Sequence, residues 1–310
     1  MISKEFVDYI SVETGIGRKD LIEKDLILQY LLKEFQNNFY FRENFVFKGG
    51  TCLVKCYLGY YRFSEDLDFT WVDQATFKNK SEKQIRKILS EEINKILEVL
   101  ENIAKKLHLD FKSEKENRNY VEFGGSNKFV TFKVWYDSCT LDKKQFVKFQ
   151  INFVELFEYK FKKLLVKTIS SKIKLEDATF LFPEEICVIK EKIEVNAYDL
   201  KEILLEKSRA IMTRKGVKVR DFIDLYFITN YLKENIEKYE EKIIKKTIFM
   251  FKYEKYKINF LNKEFFSEIN MQEVESLLLK NTGNDFSKFI EDIFVFFNRL
   301  IEVISKKIAK

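Results

Sequence analysis

Lys48–Thr70 reads KGGTCLVKCYLGYYRFSEDLDFT, and the order of its parts decides the fold. Phe45, Val46 and Phe47 ahead of it form a short apolar run that reads as a buried strand. Gly49 and Gly50 let the backbone turn with positive φ and come close to a ligand. Thr51 suits a helix start, and the apolar stretch Cys52–Leu58, with Lys55 inside it, suits a helix whose first amides point at an anion. After Arg62 and Ser64 the pattern becomes strict alternation. Leu67, Phe69 and Trp71 take one side of a strand, and Asp66, Asp68 and Thr70 the other.

Two carboxylates two residues apart on one strand face converge. They repel and raise each other's pKa unless a cation lies between them, and Mg²⁺ takes carboxylates together with substrate phosphate oxygens. Two such ions about 3.5–4 Å apart activate an attacking hydroxyl and stabilise a leaving phosphate in an in-line displacement. The chemistry implied is nucleotidyl transfer. Taken singly, a Gly-Gly turn is an ordinary loop and an Asp-x-Asp pair an ordinary solvated strand edge. Their succession, with Arg62 and Ser64 between, carries the reading.

With a second stretch, Leu200–Ile228 (LKEILLEKSRAIMTRKGVKVRDFIDLYFI), this segment resembles the AbiEii/AbiGii-type toxins of the DNA polymerase β-like nucleotidyltransferase superfamily. Glu23–Asp25 (EKD) is similar to that family's helical lead-in. In the second stretch Ile203, Leu204, Ala210 and Ile211 recur at helical spacing, which leaves Glu206, Lys207 and Arg214 on polar or boundary faces. After a break at Gly216 a second helix is expected near Arg220, with Asp221 and Asp224 facing the same way. Composition alone reads this hairpin as a solvated surface with intrahelical ion pairs. The resemblance implies instead that Lys207 contacts nucleotide phosphates. It also implies that Glu206 and one of Asp221 or Asp224 complete an acidic site or orient Lys207, with Arg209 and Arg220 as secondary candidates.

One departure matters. Many superfamily members supply a third carboxylate from a later strand, and Val147–Phe157 (VKFQINFVELF) stands where it is expected. Alternation there puts Lys148, Gln150 and Asn152 on the polar side, leaving amides in place of a carboxylate. Asp137, at the end of the strand KFVTFKVWYD, Glu155, or an aspartate of the hairpin are the substitutes.

The remaining sequence frames this site in an α+β protein, a nucleotidyltransferase-type mixed sheet flanked by helices and followed by a helical C-terminal domain. The chain has 310 residues, 46% hydrophobic and 16% aromatic, with 9 Gly and 1 Pro. It can bury a large core, and its length favours two domains with no flexible linker. The boundary is expected near 196–200, giving domains 1–197 and 198–310, where a strand-like CVIKEKIEVNA after Pro183 gives way to helical spacing. Helices are expected over Lys19–Phe35 and Ser81–Leu107, and a last one carries Phe286, Phe289, Ile290, Ile293, Phe294 and Phe297 on a stripe read as core.

No apolar run approaches the ~20 residues needed to span a bilayer and no signal-peptide pattern opens the chain, so a cytoplasmic protein with no membrane partner is expected. Four cysteines show no zinc spacing and no disulfide framework. His108 is the only histidine, which leaves little room for histidine catalysis. Lys and Arg exceed Asp and Glu by 6, which permits nucleic-acid binding without demanding it. The densest basic tract, Lys160, Lys162, Lys163, Lys167, Lys172 and Lys174, reads first as a solvated face and second as an RNA backbone contact.

The expectation is a metal-dependent nucleotidyltransferase using Mg²⁺ or Mn²⁺ at Asp66 and Asp68. Gly49, Gly50 and Thr51 would cradle phosphate, Arg62 and Ser64 would assist, and Lys207 and Asp224 would act beside them. The resemblance implies a toxin of a toxin–antitoxin or abortive-infection system, an NTP substrate, an RNA acceptor such as the 3′ end of tRNA, and a cognate antitoxin. Two other readings stay open: a nucleotide-binding switch without turnover, and an RNA-binding module.

Overall fold

The computed structural model describes residues 2–125, 127–172 and 176–309. The chain divides into two compact units. One is Met1–Glu155 with Phe161–Tyr198, and the other is Leu156–Lys160 with Asp199–Lys310. The second crossing, at 156–160, is absent from the simple division expected at 197/198.

In the first unit α1 (Lys4–Thr14), α2 (Lys19–Asn37) and α3 (Phe39–Asn44) lead into β1 (Phe45–Lys48). Ser3 caps α1 by accepting from the Phe6 amide, and Gly15 at φ 70° ends it, as left-handed C-caps require. The Gly-Gly bend follows β1 directly as α4 (Gly49–Cys52), which runs into a π-helical segment, Leu53–Leu58. Next come β2 (Asp66–Trp71), α5 (Glu82–Lys106), β3 (Val121–Gly124), β4 (Phe129–Asp137), β5 (Lys144–Asn152) and β6 (Lys162–Leu165). The short helices α6 (Glu176–Leu181) and α7 (Pro183–Lys190) precede β7 (Glu194–Ala197). A reciprocal Ser81–Gln84 capping box starts α5, satisfying two of its orphan amides.

The strands form one seven-stranded mixed sheet in the order β3-β4-β5-β2-β1-β7-β6. β2 lies antiparallel to β1 and parallel to β5. One face of the sheet is an aromatic layer. Phe35 of α2 stacks on Phe149 at 4.6 Å, and Phe41 of α3 meets Phe45 at 4.6 Å and Phe69 at 4.8 Å. Leu67, Phe69, Phe149 and Ile151 are wholly buried there. The opposite face carries Lys48, Asp66, Asp68, Thr70, Lys148, Gln150 and Asn152, because side chains alternate along a strand.

The strand-like reading of residues 187–197 needs correction. Cys187–Lys190 belong to α7, and only Glu194–Ala197 pair as a strand. Pro183 at the first turn, followed by Glu184 and Glu185, is a helix-start signal that outweighs the local apolar alternation. In the basic tract, Lys162 and Lys163 lie on the edge strand β6, with Lys163 3.7 Å from Glu194. Lys174 and the Lys172 side chain lie outside the described residues.

The second unit is helical: α8 (Leu200–Thr213), α9 (Val219–Leu232), α10 (Glu240–Met250), α11 (Glu254–Leu261), α12 (Met271–Leu277) and α13 (Phe286–Ile308). Asp199 caps α8 from the Lys201 amide, and Gly216 at φ 69° makes the turn before α9. Phe222 packs edge-on against Phe266, Phe294 and Phe297, so the aromatic stripe of α13 is core. Residues 156–160 are held here by Glu202, which accepts from the Glu158 and Tyr159 amides at 2.9 Å each and pairs with buried Lys246. No helix among the described residues is long and apolar enough to cross a membrane.

Candidate functional site

The Gly-Gly bend and the paired aspartates meet in the first unit. A Cβ on Gly49, whose φ is +77°, would sit 2.2 Å from Asp68 Oδ2, and one on Gly50 would sit 2.7 Å from Arg62 Nη2 and 2.9 Å from Ser64 Oγ. At Gly49 only hydrogen fits, and at Gly50 a side chain would have to displace the ends of Arg62 and Ser64. The register pairs Lys48 with Asp68 across β1 and β2, which draws the bend onto the acidic face. Asp66 and Asp68 share that face, about 6.5 Å apart along the strand, and both are half-buried.

Thr51 departs from its expected role. The residue before the helix is Lys48, whose side chain makes no cap, and Thr51 stands inside the first turn. Its hydroxyl lies 2.5 Å from the Asp66 carbonyl oxygen and 2.9 Å from Ser64 Oγ. The carbonyl can only accept, so the Thr51 proton goes there and Ser64 donates to Thr51. Thr51 thus fixes the start of β2 against the bend. Arg62 is buried, and its Nη1 donates to the Phe63 carbonyl at 2.7 Å.

Behind the bend, Lys55 is fully buried. Its ammonium lies 2.9 Å from Asp25 Oδ1, 2.8 Å from the Tyr60 hydroxyl and 3.3 Å from Gln29 Oε1, while Tyr60 donates to Asp25 Oδ2 at 2.8 Å. Burial and then the Asp25 charge push the Tyr60 hydroxyl well above its ordinary value. The EKD lead-in is therefore a brace that pins the segment after the bend to α2. Glu23, of the same triplet, accepts from Ser138 Oγ, the Cys139 amide and Thr140 Oγ1 at 2.6–2.7 Å.

The later strand carries no third carboxylate beside the pair. β5 sets Lys148 opposite Asp66 and Gln150 opposite Asp68, and the Gln150 amide donates to Thr131 at 3.1 Å. Asp137 stands on β4 four residues beyond Lys133, which is the residue level with Lys148, so it lies roughly 13 Å along the strand from the level of Asp66. Glu155 follows Asn152, which pairs with Thr70 at the other end of β2, and it accepts from the Asn152 side chain at 3.0 Å. The structure does not bring either substitute to the pair. Among the described residues no cluster of three or more Asp, Glu, His or Cys has the geometry to hold a metal ion.

Two basic residues beside the pair escaped the motif reading. Lys48, 7% exposed, lies 5.8 Å from the Tyr198 ring centroid, and Tyr198 and Thr70 share a hydrogen bond at 2.8 Å. Lys148 neighbours Asp66 by register. Counting alternation back from Gly49 shows that Lys48 shares a face with Val46; which partner it meets depends on the β1–β2 pairing.

In the second unit, Lys207 is clasped by two buried carboxylates, 2.8 Å from Asp221 Oδ1 and 2.6 Å from Asp224 Oδ2. Arg214 reaches Asp221 Oδ2 at 2.6 Å. The Lys207 pairs join α8 to α9 and are largely buried, while Arg214 closes them from the exposed side, so the solvated-surface reading of the hairpin does not hold. Burial raises the Asp221 carboxyl, yet the charges of Lys207 and Arg214 outweigh it and hold the group below its ordinary value. Glu206 lies 3.6 Å from Arg209, whose guanidinium sits 6.0 Å from the Tyr256 ring. Arg220 is exposed.

The model of the AbiEii nucleotidyl transferase toxins of type IV toxin–antitoxin systems matches residues 31–299. The chain belongs to that family. As an AbiEii protein it is a nucleotidyltransferase and a component of a toxin–antitoxin system. No curated protein matches it. Two solved structures are similar along nearly the whole chain. JHP933 from Helicobacter pylori is 14% identical, with 94% of this chain and 96% of that one covered at a TM-score of 0.42. A candidate nucleotidyltransferase from H. pylori is 16% identical, with 95% and 98% covered at 0.40. The match to the AbiEii model spans both the Gly-Gly/Asp-x-Asp site and the Lys207 cluster.

Proposed function

We propose that this AbiEii protein transfers a nucleotide from an NTP to a hydroxyl of an RNA acceptor, the 3′ end of tRNA included, with Mg²⁺ or Mn²⁺ at Asp66 and Asp68. The observation that carries the reading is the contact between the Gly49 backbone and the Asp68 carboxylate, with no room for a side chain. A phosphate oxygen taken up at the bend would therefore lie beside the carboxylates. A pair of carboxylates suits a small divalent ion that completes its shell with substrate oxygens and water, since Mg²⁺ is bound through one or two carboxylates plus phosphate.

Such an ion supplies Lewis-acid stabilisation of the transferred phosphoryl group and makes the attacking hydroxyl more acidic. The protein's own residues position the reaction. Gly49 and Gly50 let the triphosphate approach the backbone, and Arg62 and Ser64 line the bend beside Gly50. Lys48 and Lys148 offset negative charge around the pair. The acceptor oxygen would bond to the α-phosphorus, giving up its proton to solvent, as the bond to the bridging oxygen breaks and pyrophosphate leaves. Lys207 is assigned to phosphate binding, with Asp221 and Asp224 holding its ammonium in place as a point charge.

The replacement of a third carboxylate by Lys148 and Gln150 favours one second reading, nucleotide binding with little turnover. Incubation with labelled NTPs, Mg²⁺ and total RNA separates the two. Label on RNA that disappears with Asp66→Ala, Asp68→Ala or EDTA supports transfer. Nucleotide binding with no label on RNA supports the switch, and RNA binding with neither label nor nucleotide binding would overturn both in favour of an RNA-binding module.

A further inference from the structure

A cavity lies in the first unit, away from the glycine bend, with a volume of about 200 Å³. Glu23, Ile27 and Tyr30 line it from α2, Tyr136 and Asp137 from the end of β4, and His108 and Asp110 from the turn after α5. Positions 23, 27 and 30 fall on one helix face by spacing. Ile27, Leu107 and Leu109 make part of the wall apolar.

Its polar groups are mostly acceptors, some of them already taken up by neighbouring donors. Tyr136 is 7% exposed and lines the cavity, and its hydroxyl makes no hydrogen bond among the described residues, which leaves the oxygen to solvent or a ligand. The Tyr30 hydroxyl, the Asp137 carboxylate and the His108 imidazole likewise make none among the described residues. Glu23 is a buried carboxylate whose donors, Ser138, Cys139 and Thr140, are all neutral. The Lys144 ammonium at the mouth is already 3.2 Å from Asp110. Three carboxylates, Glu23, Asp110 and Asp137, stand against one ammonium, Lys144, in the lining. Burial, and then Glu23, Glu65 and Asp20, push the Tyr136 hydroxyl above its ordinary value. Burial with Glu185 and Glu184 does the same for Tyr30.

We propose that this cavity binds an organic cation, a guanidinium or primary ammonium group on a short carbon chain, received by the Tyr136 and Tyr30 hydroxyls and the Asp137 carboxylate. Phenol oxygens accept from N–H donors, and aromatic faces attract cations. The size fits, because a cavity near 150 Å³ holds benzene. The apolar wall matches a carbon chain, which a bare metal ion lacks. Asp137 therefore serves this cavity and not the Asp66–Asp68 pair. The proposal stands independently of the nucleotide reading.

His108 is the chain's single histidine, so its imidazole gives one background-free NMR signal at the mouth of the cavity. The test titrates propylguanidinium, propylammonium and N-acetyl-arginine amide into full-length protein carrying labelled histidine, with propyl phosphate as the anionic control. A saturable shift with the cations and none with the anion is expected, weakened about tenfold by Asp137→Asn and reduced by Tyr136→Phe. Asp137 is exposed and phenylalanine keeps the ring, so both variants retain the fold. Tighter binding of the arginine amide assigns the cavity to a protein side chain; tighter binding of the simple amines assigns it to a small molecule. No saturable shift up to about 50 mM, a shift indifferent to both substitutions, or a preference for the phosphate overturns the proposal.

Discussion

Gly49→Ala is the sharpest perturbation the structure offers, because one added methyl group meets the carboxylate on which the site depends. The ideal Cβ falls 2.2 Å from Asp68 Oδ2 and 2.9 Å from both Asp68 Cβ and Cγ. Relief requires the carboxylate or the bend to move by roughly 1 Å, a misplacement that can cost on the order of 100-fold in a positioned reaction. The backbone adds its own cost, since φ is +77° and a Cβ in left-handed backbone costs about 1–2 kcal/mol. Gly15→Ala separates the two effects. That residue has φ 70°, and its Cβ would meet nothing within 4 Å. Both variants should lose about 1–2 kcal/mol in urea unfolding. Only Gly49→Ala should also lose roughly 100-fold in kcat/KM for labelled-NTP transfer. Transfer by Gly49→Ala within a few-fold of Gly15→Ala would refute the claim that the bend and Asp68 act as one site.

Further outcomes follow from the same geometry. Asp25→Ala leaves the wholly buried Lys55 ammonium without its carboxylate and should cost about 3–5 kcal/mol; the double variant Asp25→Leu/Lys55→Met should recover much of that in urea unfolding. Asp221 is held below its ordinary value by Lys207 and Arg214 against the effect of burial, so its contribution is fully present above the unfolded carboxyl range near pH 4 and is lost as pH falls through the lower folded value. Lys207→Met lifts that folded value and moves the loss to higher pH, which urea unfolding between about pH 7 and pH 4 will show; an unchanged pH profile would count against the clasp. Gln150→Asp places a carboxylate opposite Asp68. It should lower thermal stability without metal and increase the stabilisation gained from Mn²⁺, whereas an Mn²⁺ response equal to wild type would separate the two positions.

Much of the site was legible because its parts are close in sequence. Adjacent glycines that permit a tight bend, and aspartates alternating with Leu67 and Phe69, declare themselves within 23 residues, where backbone geometry alone sets which side chains share a face. The stripes of α5 and α13 were legible for the same reason, as helical spacing needs no partner to be seen. The role of Thr51 was not, because it depends on a carbonyl of β2 coming within 2.5 Å. The helix over Pro183–Lys190 is not legible from periodicity because a short apolar run fits either period, and only the start signal at Pro183 marks it.

What the sequence by itself determined is the chemistry available at each local stretch: two carboxylates on one strand face, a bend without side chains, and a lysine three to four residues from its helix neighbours. Only the tertiary structure decided which long-range partners meet. It buried Lys55 on Asp25, clasped Lys207 between two aspartates of the next helix, set Lys148 and Gln150 beside the acidic pair, and sent Asp137 to a cavity of its own. The reason is physical. Periodicity fixes the direction of a side chain from its own backbone, whereas charge pairing and register depend on contacts between segments far apart in the chain, which the packing of the core selects.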